Sequence, residues 1–403
     1  MTLISGEYPP MRGGVADYTA LLAAGLIRLG VDVSVLTSTR AGGTHAIDSP
    51  RVSASVDGWG AALWSGVRDH VEQFRSDVLH VQYQTGAFDM KLAVNLLPWL
   101  NRVRGGQPRL VVTFHDLKEP YLLPKLGPLR HLATHLLAAG ADATVATNAE
   151  DFARLAGRGA DGQTAWSWGR RPLRAIPIGS NVPERPPVGY DRTAWRERLG
   201  IRNGEVVLAY FGFINPSKGF DTLVAAFESL VQRGSPVRLL VIGATAGDSG
   251  SIDRHYENRA RERLDQPLVR GRVGWTGFIQ ASDVAACLRA ADLCVLPFRE
   301  GVSLRHGTLI AAVVHQLPII TTSRASAPTN HAFPRFQTEE NALLVPPGDP
   351  AALSRAIERA VADRVLRERL SRGAGELAAA FQWDAIASQT LQLYDEVCRS
   401  EVL

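Results

Sequence analysis

Short apolar runs alternate with amphipathic segments along nearly the whole chain, and the alternation restarts once, near Val206. In the first half Thr2 to Ser5, Val31 to Thr37, Val78 to Tyr83, Leu110 to Phe114 and Ala143 to Thr147 read as strands. In the second half Val206 to Ile214, Val237 to Gly243, Gly274 to Phe278, Leu293 to Phe298, Leu317 to Thr322 and Ala342 to Pro346 do so. Helical spacing separates them, as in Val15, Tyr18, Leu21, Leu22, Leu26 and Leu29 ahead of the stop at Gly30. Continuously apolar strands joined through helices call for a parallel sheet covered on both faces. The predicted class is α/β, with two doubly wound, Rossmann-like domains facing across a cleft, and 403 residues are ample for two. Ile176 to Pro187 (IPIGSNVPERPP) has neither period and reads as the linker, which gives domains 1–178 and 179–382.

Charge and cysteine content narrow the classes. A formal charge of +4 is too small an excess for a nucleic-acid binder, although it permits weak attraction to an acidic membrane surface. Three cysteines, Cys287, Cys294 and Cys398, lack metal-ligand spacing, and so few fit a reducing cytoplasm. No run approaches the ~18 apolar residues of a membrane span. Glu7, Pro9 and Pro10 interrupt any signal-peptide core, and the short opening MTLIS leads us to expect a start further upstream. No metal cluster, G-x-S-x-G or G-x-x-x-x-G-K-[ST] occurs, which disfavours a metalloenzyme, a serine hydrolase and a P-loop NTPase.

Candidate functional residues stand where strands meet helices, the edge at which parallel sheets bind ligands. Lys218 lies in the turn NPSKG between the strand at Val206 and the helix FDTLVAAFESLVQRG. Glu300 lies in FREG, after LCVLPF and before the apolar segment SLRHGTLIAAVVHQ, read as a helix from Ser303 to Gln316. A lysine at one junction and a carboxylate at the other suit a phosphorylated ligand that carries hydroxyls, with helix N–H groups adding anion affinity. Arg305 can face a phosphate or form a structural ion pair. Gly13 and Gly14 precede a helix and leave room for a pyrophosphate, although they do not form the G-x-G-x-x-G fingerprint. His115 ends the strand LVVTF, with Asp116 beside it to orient the ring or cap the next segment. His80 and Gln82, alternating in VLHVQY, can face a helix layer or the site.

In their order along the chain these segments resemble the GT-B glycosyltransferases, specifically the large retaining group 1 family (glycosyltransferase family 4). The likeness runs from GEYPPMRGGVADYTALLAAGL through DVLHVQY, TFHD, IPIGSNVP and FGFINPSKGFDTLVAAF to ENALLVPPGDPAALSRAI. It implies that Gly13 and Gly14 lie by the donor pyrophosphate, His115 near the transferred sugar, Lys218 at the donor phosphates and Glu300 at sugar hydroxyls. It also implies that the backbone near Phe278 lies by the base, that Ser303 and Leu304 lie over the phosphates, and that a terminal helix (383–403) returns to the first domain. Two positions depart from the family pattern. Phe213 stands where many members have an arginine, whose charge Arg305 can replace. Thr308 stands where a second glutamate normally binds ribose, and a hydroxyl offers one hydrogen bond instead of a carboxylate.

The resemblance implies an enzyme that moves a sugar from a nucleoside-diphosphate sugar to an acceptor hydroxyl with retention, needing no cofactor and no metal. The acceptor remains open among a carbohydrate, a lipid-linked molecule and a small molecule. Its specificity is expected in the loops His45 to Trp64 and Lys118 to His131, where Leu122, Leu123, Lys125 and Arg130 would suit a lipid-linked acceptor. A cytoplasmic protein, peripheral at the inner membrane face, fits this reading. A binding or scaffold protein that has lost catalysis, and a nucleotide-sugar epimerase, are the alternatives.

Overall fold

A computed structural model describes residues 1–11, 13–42, 50–103, 108–117, 129–156, 171–243, 251–324 and 332–399. The chain divides into two compact units. The first comprises Met1–Gly179, Ala327–Phe333 and Gln382–Leu403, and the second Ser180–Ser326 and Pro334–Phe381.

The first unit holds seven strands: β1 (Thr2–Ser5), β2 (Ser34–Ser38), β3 (Arg51–Val56), β4 (Val78–Tyr83), β5 (Arg109–Phe114), β6 (Ala143–Ala146) and β7 (Leu173–Ala175). All pair in parallel, in the order β3-β2-β1-β4-β5-β6-β7. Successive side chains point to opposite faces, so the apolar runs feed two cores at once. Leu3, Val35, Val78 and Val111 enter one core, and their neighbours Ile4, Leu36, Leu79 and Val112 the other. The helix Gly14–Arg28 covers the first core together with the last helix, Trp383–Arg399, through Leu22, Leu26, Ile386, Leu393 and Tyr394. Gly25 lets these helices approach closely, because a Cβ there would press on Ala387 at 2.8 Å. The helix Ala62–Phe74 contributes Leu63 and Val67 to the opposite core.

The second unit repeats the design with β8 (Val206–Phe211), β9 (Val237–Ile242), β10 (Val273–Trp275), β11 (Leu293–Leu296), β12 (Ile319–Thr322) and β13 (Leu343–Val345). The order is β10-β9-β8-β11-β12-β13, again parallel throughout. In both sheets the order reverses beside the unit's first strand, between β1 and β4 and between β8 and β11. The helix Phe220–Gln232 packs beside Pro350–Ala362. The latter starts as Asp349-Pro350 predicts: the Asp349 carboxylate accepts from the Ala352 N–H at 2.9 Å, and Pro350 occupies the first turn. Cys287 and Cys294 are buried, and burial pushes both thiols up to about 12, as inert core thiols require.

Some predicted elements start late: the strand read from Val31 begins at Ser34, the one read from Leu317 at Ile319, and a helix is displaced furthest. The helix expected from Ser303 begins at Gly307 and ends at Val314. Ser303 to His306 instead form a turn, in which the His306 N–H donates to the Ser303 carbonyl at 3.2 Å. The turn is held because Leu304 is buried and the His306 ring stacks on Phe298, with centroids 3.8 Å apart.

Candidate functional site

In the second unit the loops that follow β8 and β11 leave neighbouring strands at the point where the sheet order reverses. Such a switch point leaves a crevice at the carboxyl edge. The first loop ends in a single tight turn, Pro216–Lys218, capped by Asn215. The Asn215 side-chain oxygen accepts from the Lys218 N–H at 3.2 Å and from the Ser217 hydroxyl at 2.8 Å. Gly219 then turns the chain into the next helix with φ +65°, and a Cβ there would collide with the Pro297 carbonyl oxygen of the second loop. The Arg299 N–H also donates to the Ser217 carbonyl at 3.0 Å. The two loops are therefore one bonded assembly.

Lys218 is half-buried, and its ammonium lies 4.9 Å from the centroid of the buried Phe298 ring. Phe298, eighty residues away, becomes its neighbour only through the sheet. A cation over an aromatic face is worth ~0.5–1 kcal/mol at exposed sites and more when desolvated. The ring thus restrains the ammonium without neutralising it. His306 stacks on the same ring, 23° from parallel. Nothing in the residues around His306 marks it, because the contact is tertiary.

Glu300 is exposed beside Gly301 in the β11 loop. That loop lies against the chain leaving β12, where the Val302 N–H donates to the Thr322 carbonyl at 2.9 Å. Ser303 and Leu304 are buried in the turn that follows, with Arg305 half-buried after them. Thr308 stands in the first turn of Gly307–Val314 with its methyl toward Gly212, and its hydroxyl is buried with no hydrogen-bond partner. Phe213 is 55% exposed and Phe278 65%, so both present aromatic surface from carboxyl-edge loops. The Tyr210 hydroxyl donates to the Phe213 carbonyl at 3.0 Å and fixes the backbone there. The structure thus gathers Phe213, Lys218, Glu300, Ser303, Leu304, Arg305 and Thr308 on two adjoining loops and one helix start. Phe278 lies further along the same edge, beyond β9.

A neighbouring cluster escaped sequence reading. Asp221, in the first turn of Phe220–Gln232, accepts from Arg299 Nη2 at 2.6 Å and from the Tyr256 hydroxyl at 2.6 Å. Although burial pushes its carboxyl up, these two donors prevail and hold it below its ordinary value. The cluster braces the loop beside Glu300.

In the first unit Gly13 and Gly14 open the helix Gly14–Arg28. The room cleared by Gly13 is taken by the Glu7 carboxylate, which a Cβ would strike, whereas Gly14 faces open space. Burial raises the Glu7 carboxyl, Asp17 adds to the rise and Arg40 opposes it.

His115 follows β5. Its backbone N–H donates to the Tyr83 carbonyl at 2.9 Å, and its Nε2 lies 3.0 Å from Gln82 Oε1. The ring's hydrogen-bond partner is therefore Gln82; Asp116, considered for that role from sequence, is not. Tyr18 meets the imidazole edge-on at 4.5 Å, and Trp383 of the last helix meets Tyr18 at 5.2 Å. Burial pushes His115 down to about 3, so the ring is neutral at ordinary pH. His80 proves structural: its ring nitrogens lie 2.6 Å from the Tyr394 hydroxyl and 2.7 Å from Thr113 Oγ1, joining the last helix to the sheet.

Among the described residues no group of three or more His, Cys, Asp or Glu is placed to hold a metal, and no helix is long and apolar enough to cross a membrane. Leu122, Leu123, Lys125, the Arg130 side chain and positions 118–128 of the second acceptor-loop segment lie outside the described residues, as do positions 45–49 of the first; the rest of the first is not all loop, because Arg51–Val56 form β3 and the helix Ala62–Phe74 starts within it.

Comparison with known proteins adds to this geometry. Residues 13–165 match the family described as glycosyl transferase 4-like domain, and residues 205–363 the family described as glycosyl transferases group 1. D-inositol 3-phosphate glycosyltransferase of Xylanimonas cellulosilytica is 29% identical over 314 residues, which cover 75% of this chain and 69% of that protein. Mannosylfructose-phosphate synthase of Agrobacterium fabrum is 30% identical, over 56% of this chain and 48% of its own. The match thus spans only about half of some curated relatives. Among solved structures, sucrose-phosphate synthase from Thermosynechococcus elongatus superposes with TM-score 0.72 at 22% identity, over 98% of both chains. Anabaena HepE, solved with UDP-glucose, superposes with TM-score 0.66 at 17% identity, over 98% of this chain and 100% of its own. These two structural likenesses concern the fold.

Proposed function

The chain belongs to the group 1 glycosyl transferases, hexosyltransferase-class enzymes of the GT-B fold, and from that premise we propose that it transfers a sugar from a nucleoside-diphosphate sugar to an acceptor hydroxyl with retention of anomeric configuration. The observation that carries the reading is Lys218, restrained over Phe298 on a loop bonded to the loop of Glu300. Breaking the bond between the sugar C1 and the diphosphate oxygen leaves negative charge on the leaving group. A positioned ammonium and the first N–H groups of Phe220–Gln232 and Gly307–Val314 favour that charge. Glu300 accepts from sugar hydroxyls. The acceptor oxygen bonds to C1 on the face that the diphosphate leaves, and its proton passes to the departing phosphate oxygen. On the first unit, His115 attends the transferred sugar and Gly14 the pyrophosphate. Charge from Lys218 and helix N–H groups makes a divalent ion at the diphosphate unnecessary in this scheme, and no cofactor is called for.

HepE, with its UDP-glucose, supports a nucleotide donor, and the inositol- and fructose-phosphate names of the relatives support a polyol or sugar acceptor. A thermal-shift screen over nucleoside diphosphates and their sugars, followed by product analysis with the best donor, tests the reading. Transfer with inverted configuration, or donor conversion without any acceptor, would sink it. Binding without turnover would favour the scaffold reading.

The buried, unpartnered Thr308 hydroxyl supports its place at the ribose. Thr308→Glu is then expected to tighten nucleoside-diphosphate binding by at most ~1.5–3 kcal/mol, the worth of a charge-assisted hydrogen bond. The gain requires the longer side chain to clear Gly212, since a carboxylate buried without a partner is costly. Titration calorimetry on wild type and mutant decides it; unchanged affinity in a folded mutant removes Thr308 from the ribose.

We place the protein in the cytoplasm, in weak peripheral contact with the inner membrane face. Leu92, Leu96 and Trp99 support this: they are 51%, 40% and 42% exposed and recur at helical spacing, with exposed Lys91 beside them. Trp and Leu above a basic flank suit a lipid interface. Leu92→Asp with Leu96→Asp is expected to reduce co-sedimentation with anionic vesicles, each leucine contributing up to ~1.5–3 kcal/mol when fully buried. Equal sedimentation of mutant and wild type would exclude this face.

A further inference from the structure

We propose that Gln82 is a positioning residue: its side-chain oxygen holds the His115 proton on Nε2, so that Nδ1 keeps a lone pair for a hydroxyl of the bound sugar. The inference rests on His115 attending that sugar. Gln82 is fully buried in β4, where the parallel register sets it opposite Thr113, and His115 follows two residues after Thr113, just past the end of β5. Only the Nε2 edge of the imidazole is engaged, at 3.0 Å from Gln82 Oε1. Nδ1 has no hydrogen-bond partner among the described residues, so this nitrogen remains for a ligand. The Gln82 amide nitrogen is itself buried without a partner. A buried orphan donor is unfavourable, and its retention beside a candidate site residue calls for a compensating role.

The chemistry explains why an amide stands here. A carboxylate against Nε2–H would stabilise imidazolium and bring the ring toward charging at neutral pH. An imidazolium has no lone pair and can only donate. A neutral amide accepts the same hydrogen bond without adding charge. The other groups facing the ring do not reverse this. Tyr18 lies edge-on from the helix Gly14–Arg28, with its phenol pushed up by burial. His80, two residues earlier on β4, has its own ring nitrogens occupied and is neutral, pushed down to about 3. Asp116, the next residue in the chain, does not bond the ring. His115 therefore serves as a hydrogen-bond acceptor of fixed tautomer.

The test needs no variant at first. In full-length protein labelled with ¹⁵N-histidine, and assigned with His115→Asn, the shifts of the two ring nitrogens report which carries the proton. A proton on Nε2, unchanged from pH 5 to 8, is expected. A proton on Nδ1, or a charged ring in that range, overturns the proposal. Two variants extend it to catalysis. Gln82→Met keeps the bulk and loses the acceptor, and kcat is expected to fall ~10–100-fold, as when the partner that orients a functional histidine is removed. Gln82→Glu keeps the acceptor and adds charge. Its rate is expected to approach wild type at high pH and to fall as pH drops and His115 protonates, an acid limb that wild type lacks in that range. A flat profile with wild-type nitrogen shifts, or full activity in a folded Gln82→Met, overturns it. His115→Ala separates the two levels: if that variant retains full transferase activity, the reading of His115 fails, whatever Gln82 does to the tautomer.

Discussion

Lys218→Ala is expected to lower kcat about 10²–10³-fold, the loss that follows removal of one preorganised group aimed at developing charge, ~2.7–4 kcal/mol. Stability should change little. The Lys218 backbone is fixed by Asn215 and by the bond between Ser217 and Arg299, neither of which uses the lysine side chain. The described contact that the side chain gives up is its cation–π contact with Phe298, ~0.5–1 kcal/mol. Thermal unfolding and steady-state kinetics therefore separate the roles. A nearly unchanged Tm with a large fall in kcat supports leaving-group stabilisation. A fall confined to KM would make Lys218 a uniform binding group. Unchanged kinetics would return it to ordinary surface charge. Lys218→Arg keeps the charge and can stack on Phe298, but its longer planar fork presents donors at a different distance and direction from the diphosphate, so only partial recovery is expected.

The sequence revealed most of the sheet, for a physical reason. VLHVQY and VVLAYF are buried on both faces, so their apolar character needs no knowledge of neighbours. What it hid was of two kinds. The first was weak local signal. RVSASV of β3 is half-exposed and mixes serine with valine, and β7 has only three residues. SIDRHYENRARERL shows almost no apolar face, yet forms the helix Ser251–Leu264. The second was tertiary contact. The stacking of His306 on Phe298, which moves the helix start to Gly307, joins residues eight apart across a turn that no periodicity records. Lys218 over Phe298 and His115 on Gln82 depend on which strands become neighbours. The site was therefore legible as positions at strand ends. The groups that orient those positions were not, because pairing order decides them.

Gly219 and Gly14 carry the last prediction, because the two glycines are alike in sequence and opposite in structure. Gly219→Ala should damage both fold and activity. Its φ of +65° is left-handed, which costs an L-residue ~1–2 kcal/mol by itself. The added methyl would also collide with the Pro297 carbonyl oxygen, a backbone atom at the end of β11 that cannot swing aside. Relief requires the two loops to part, which breaks the Ser217–Arg299 bond and lifts Lys218 from Phe298. Tm should fall by ~2–4 °C per kcal/mol lost, and kcat should fall with it. Gly14→Ala lies at a helix start with open space around it, so it should be neutral or stabilise by ~0.4–1 kcal/mol. Any activity it loses then reports on a ligand, because no atom of the described residues stands in the way. A stable Gly14→Ala with weakened donor binding would support a pyrophosphate there. A stable variant with unchanged KM and kcat would leave Gly14 as a plain helix start, and a Gly219→Ala of wild-type stability would mean that the β8 and β11 loops are not locked together as described.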